Sequence, residues 1–155
     1  MSITVDDVLN FLKGFVPGYA AIENLVAPVF GSDVNDYGQC RANCGSAPAG
    51  WGAAITTCNS CVDKIAIAAI FKLMPELAGS GVAGFAFGLT QEVIKNFLIA
   101  WLEKKGLSWL ATKAIPVFGW IFLLGELANI IVILISVKRV MEAANNAKKK
   151  FCVCP

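Results

Sequence analysis

Apolar positions recur along this chain with the period of a helix rather than that of a strand. Residues 3–13 (ITVDDVLNFLK) read as a short amphipathic helix. Thr4 is placed to cap its N-terminus, and Asp6 and Asp7 fall in the first turn, where the helix dipole favours negative charge. Gly14, Pro17 and Gly18 break that pattern, and a second apolar piece runs from Tyr19 to Phe30 with Glu23 as its single charge. It holds about three turns, short of the ~20 residues needed to cross a bilayer. Further on, 92–105 sets Val93, Ile94, Phe97, Leu98, Trp101 and Leu102 on one stripe, the signature of an amphipathic helix. Gly106 and Ser108 mark the turn after it.

The longest apolar run is 114–137, AIPVFGWIFLLGELANIIVILISV, 24 residues between Lys113 and Lys138 with Glu126 as the one charge. At ~1.5 Å per residue it would span ~36 Å, more than the ~30 Å hydrocarbon core. Lys138 and Arg139 suit an interfacial anchor at its exit, with Trp109 and Trp120 toward the other end. The expectation is a transmembrane helix. Residues 62–77 are helical by propensity, and no charge lies between Glu76 and Glu92. Strand signals are weak throughout. The predicted fold class is all-α, a bundle of apolar helices with a Cys-stapled polar loop and at least one helix of transmembrane length (114–137). Four regions follow: short helices over 1–30, a Cys-rich loop or helical hairpin over 31–61, an apolar membrane region over 62–137, and a basic tail over 138–155.

Residues 31–61 differ in kind, being rich in Gly, Asn, Ser, Asp and Ala and holding four of the six cysteines. Cys40 and Cys44 are followed thirteen residues later by Cys58 and Cys61, with Cys152 and Cys154 far along the chain. Each close pair shares a helix face, and Gly45, Pro48, Gly50 and Gly52 between them allow the chain to turn back. An antiparallel hairpin would bring Cys40 to Cys61 and Cys44 to Cys58. This arrangement resembles that of twin-cysteine helical hairpins over about 22 residues, although the second pair is one residue short of symmetrical spacing. Four cysteines allow three pairings, so the connectivity is a preference. A zinc site of four thiolates competes with it. Disulfides are favoured because Arg41 is the only cation nearby to support such a site. They would place the segment in an oxidising, extracytoplasmic setting. Cys152 and Cys154 pair with each other, pair between subunits, or carry a lipid.

Composition sharpens the picture. Apolar residues make up 57% of the 155 and charged residues 15%, with a mean hydropathy of +0.66. That is well below the roughly 25% charge of ordinary soluble domains, and a disordered chain would be polar instead. The sequence contains no histidine. Ser-His-Asp and Cys-His nucleophile pairs and histidine-ligated metals are thereby excluded, and no enzymatic activity, cofactor or metal is expected. Net charge is +2, but residues 1–37 carry −4 and residues 138–155 carry +4. Lys138, Arg139, Lys148, Lys149 and Lys150 form one terminal cluster that suits an anionic membrane face rather than nucleic acid. The first ten residues, with two aspartates and no cation, do not read as a cleaved signal.

Two further features bear on function. Ser80, Gly84 and Gly88 lie four apart, a small-residue face that lets helices approach closely in lipid. Glu126, with Asn129 on the same face, would be an intramembrane polar group that lines a water path or pairs with a cation such as Lys95. If 79–102 and 114–137 span as a hairpin, both flanks are positive and orientation is weakly set. The expected function is an oligomerising, membrane-inserting helical protein that forms a pore or channel. The alternatives are a small resident subunit of a larger membrane complex and a self-assembling structural protein. The expected partners are a lipid bilayer and further copies of the chain, with no nucleic acid, and 31–61 is a candidate contact module for another protein.

Overall fold

A computed structural model describes residues 4–16, 18–25, 33–79, 88–112 and 124–155. They are all-α: α1 Val5–Phe15, α2 Tyr19–Leu25, α3 Trp51–Leu73, α4 Gln91–Lys104, α5 Trp109–Thr112 and α6 Leu124–Phe151. Tight 3-10 turns at Val34–Cys40, Pro48–Gly50 and Pro75–Gly79 complete the order.

The short-range signals act as their chemistry dictates. Thr4 accepts the Asp7 N–H at 3.1 Å while the Asp7 carboxylate accepts the Thr4 N–H at 3.0 Å, a closed capping box. Val5, Val8, Leu9, Leu12 and Val16 then lie on one buried face. Thr90 caps α4 by accepting the Val93 N–H. Gly106, at φ +73°, ends α4: Leu107 N–H reaches Leu102 O and Gly106 N–H reaches Glu103 O. That paired arrangement satisfies the last carbonyls and needs a residue tolerant of positive φ. Ile94, Phe97, Leu98, Trp101 and Leu102 are all buried, as their stripe requires.

α6 is the axis of the fold, packing along α3, α1, α2 and the turn at Val34–Cys40. Its buried face carries Leu127, Ile130, Ile131, Leu134, Val140, Ala144 and Ala147. The small residues toward its C-terminus permit close approach to α3. The Cys58–Cys152 disulfide and the Asp63–Lys148 ion pair run in opposite chain directions, so α3 and α6 are antiparallel. Phe71 meets Phe97 at 5.1 Å and Glu76 meets Trp101 and Lys105, so α4 runs parallel to α3.

Several boundaries differ from the sequence expectation. α3 begins at Trp51, so the polar 31–61 segment ends inside a helix. Ala53 and Ala54 are good helix formers, and Pro48 is accommodated in the tight turn just before. The 138–155 tail is helical to Phe151 rather than separate. Glu142, the alanines and the lysines favour helix, and Lys148, Lys149 and Lys150 in the last turn complement its dipole. Of the expected transmembrane run 114–137, only the part from Leu124 lies within the described residues. Among those residues, the helix long and apolar enough to cross a membrane is the Pro48–Leu73 stretch, by length and composition.

Candidate functional site: a disulfide-closed pole

All six cysteines are oxidised in three disulfides at one end of the molecule: Cys40–Cys61, Cys44–Cys154 and Cys58–Cys152, with Cα–Cα distances of 5.5, 5.7 and 5.3 Å. They join the turn at Val34–Cys40, the first half of α3 and the tail. The hairpin expectation is corrected at Cys44 and Cys58. The tail lies between them and takes both, because α6 runs back along α3 and delivers Cys152 and Cys154 to that end. The same pairing displaces a four-thiolate zinc site and leaves no tail thiol for a lipid.

Polar contacts reinforce the pole. Ala42 N–H donates to Phe151 O at 2.9 Å, and Lys150 Nζ donates to Asn35 Oδ1 at 3.1 Å. The Phe151 ring has the Arg41 and Lys150 cations each 5.1 Å from its centroid. Tyr37 is fully buried beside these groups. Burial, aided by the Asp36 charge, pushes its hydroxyl pKa up to about 12. Of the basic residues expected to face a membrane surface, Lys149 and Lys150 are exposed while Lys148 is paired with Asp63. Lys138 holds Asp6 at 2.9 Å, and the hydrogen bond to that carboxylate outweighs partial burial in raising the ammonium pKa. Arg139 sits next to it, half-buried.

Of the small-residue face, Ser80 and Gly84 lie outside the described residues. A Cβ at Gly88 would meet Asp63 Oδ2 at 3.4 Å, so this position faces α3. Glu126 and Asn129 are both exposed on α6, one turn apart. Lys95 lines a cleft of about 170 Å³ with Asp6, Lys138 and Met141. That cleft is three turns of α6, or ~18 Å, from Glu126, so Lys95 is not its partner.

The opposite pole carries a contact that sequence reasoning missed. Glu76 Oε2 accepts the Trp101 indole N–H at 2.9 Å and Glu76 Oε1 meets Lys105 Nζ at 2.8 Å. Burial alone would raise the Glu76 pKa. The hydrogen bonds from Lys105, the backbone and Trp101, with the Lys105 charge, reverse that and leave it lowered. Trp101 on α4 and Lys105 at its C-cap are four residues apart, but no local signal places Glu76 across from them.

These features define a disulfide-stapled, all-α helical protein. Comparison with protein-family profiles, curated proteins and solved structures finds no match to this chain.

Proposed function

We propose that this chain is a membrane-inserting helical protein that oligomerises in the bilayer and forms a pore, with its cysteine-bearing pole on the oxidising, extracytoplasmic side. The observation that carries this reading is the placement of the cross-links. Cys61 and Cys152 are both fixed at one pole, and no cysteine lies between them. Residues 62–151 are thus one excursion, pinned side by side at its two ends and free of covalent constraint within.

That excursion holds the apolar runs. It opens away from the pole by exchanging contacts such as Phe71–Phe97 and Glu76–Trp101 for lipid, without breaking a disulfide. The closed arrangement exposes two large apolar side chains among the described residues, Val132 at 37% and Val153 at 54%. The described residues thus keep nearly all of their large apolar side chains from water, with no belt of them left for lipid. Entry into a bilayer then exchanges one burial for another. Copies meeting through the small-residue face at 80–88 would shield Glu126 and Asn129 from lipid and give a water-filled path.

The test is purification without detergent followed by dye release from liposomes. Oxidised protein that stays dispersed and empties vesicles supports the reading. Protein that precipitates unless detergent is present, and leaks nothing, overturns it in favour of a resident membrane subunit.

A further inference from the structure

Two contiguous hollows of about 370 and 520 Å³ run along the open face of α3 against the turn at Val34–Cys40, sharing Gln39, Thr57 and Cys61. Each is within the roughly 300–1,000 Å³ of ordinary ligand sites. Cys61 lines both and Cys40 lines the smaller, so their disulfide ties the turn to α3 at the groove. Arg41 lines one hollow and Lys64 the other, and no carboxylate lines either. Both cations lack an acidic partner among the described residues. The Arg41 guanidinium lies over the Phe151 ring at the edge of the groove, an exposed side chain that turns to a ligand by exchanging that contact. Between the two cations stand amide and hydroxyl groups: Gln39, Asn43, Thr56, Thr57 and Ser60. The Thr56 hydroxyl proton is already given to Gly52 O at 2.9 Å, which leaves its oxygen as an acceptor.

Nearby charge does not cancel the two cations. Asp63 is engaged by Lys148, and neither it nor Asp36 lines the groove. A cation at each end, donors and acceptors between them and no acid describe a site for an anionic phosphate ester of a polyol. Arg and Lys bind the phosphate oxygens, and the amides and hydroxyls exchange hydrogen bonds with the alcohols.

We propose that this groove binds a phosphoglycerol-type ligand, a phosphate bearing a short polyol, through Arg41, Lys64 and the polar row Gln39, Thr57 and Ser60. The site belongs to the cross-linked pole and stands whether or not the rest of the chain enters a bilayer. The chemistry is shared by a free metabolite and a lipid headgroup, so two probes separate the sources.

Isothermal titration with glycerophosphoglycerol reads the free ligand. Flotation with phosphatidylglycerol vesicles, against phosphatidylserine vesicles of equal charge density, reads the headgroup. Binding of glycerophosphoglycerol, weakened about tenfold or more in Lys64→Glu and in Arg41→Ala, supports the proposal. Preferential flotation with phosphatidylglycerol as well assigns the lipid source, and flotation without preference assigns the soluble one. Thr57→Val is a second variant on an exposed position, and disulfide mapping and circular dichroism establish that all three variants fold. Absence of binding to the free ligand together with equal flotation on both vesicles overturns the proposal, since Coulomb attraction alone does not distinguish the headgroups.

Discussion

Glu76 is clamped from both sides at the end of one helix: Trp101 of α4 donates to one carboxylate oxygen, and Lys105, the residue that caps α4, reaches the other. Trp101 is fully buried, so its indole N–H has no alternative acceptor in water. Glu76→Ala is therefore expected to destabilise the closed form by about 2 kcal/mol, most of it the penalty of leaving that donor unsatisfied. Glu76→Gln keeps an acceptor and should cost about half as much. Equilibrium urea unfolding of the oxidised protein measures both.

The same carboxylate sets an acid dependence. Its pKa is lowered in the fold, so its stabilising contribution is complete above the ordinary carboxylate value of 4.5 and is lost as pH falls through the lowered value. The stability gap between the natural protein and Glu76→Gln should be constant near neutrality and close in acid. Unfolding curves collected across that range would show it. A gap that widens on acidification would contradict the lowered pKa.

The disulfides should differ in reactivity. Cys40, Cys58 and Cys152 are buried, whereas Cys44 and Cys154 are both partly open to solvent. Limited reduction followed by alkylation and peptide mapping should label Cys44 and Cys154 first. Replacing Cys58 and Cys152 together by serine removes a cross-link of sequence separation 94. With the other two bridges intact, the shortest loop it closes runs through Cys61–Cys40 and Cys44–Cys154 and holds only about ten residues, for which the chain-entropy estimate is about 3 kcal/mol. The loss of two buried sulfurs adds to it. A double variant that unfolds at the same urea concentration as the natural protein would refute this.

Two substitutions separate the closed form from the inserted one. Glu126 is exposed, so Glu126→Gln should change closed-form stability by less than about 0.5 kcal/mol. Single-channel conductance should nevertheless change if this residue lines the path. Gly84→Leu should abolish assembly in lipid, read by cross-linking in liposomes, with helix content unchanged. Normal assembly of that variant would remove the small-residue face as the contact.

The local chemistry of the chain was legible from its residues. Thr4 with Asp6 and Asp7, the stripe from Val93 to Leu102 and the stop at Gly106 each name a structure within one or two turns, because caps and periodicity are short-range properties. Pairing across the fold was not. The spacing of Cys40, Cys44, Cys58 and Cys61 satisfies a hairpin by itself, and nothing local says that α6 will run back and interpose Cys152 and Cys154. The start of α3 was hidden because glycine, serine and threonine around Trp51 read as loop until packing supplies the other side. Glu76 gave no sign of its partners, since side chains facing each other between separate elements leave no mark on the local pattern.

The disulfide connectivity also imposes an order on maturation. Cys40 can find Cys61 as soon as α3 exists, but the lasting partners of Cys44 and Cys58 arrive only after α6 has been made and folded back. Until then both thiols lie inside the loop that Cys40–Cys61 closes, and their joining would shut out the tail. An oxidase acting early would trap that misjoined form, and an isomerase acting late would rescue it. Correct cross-linking thus certifies that the end of α6 has already been brought back beside α3, making the last two bridges a chemical record of that step.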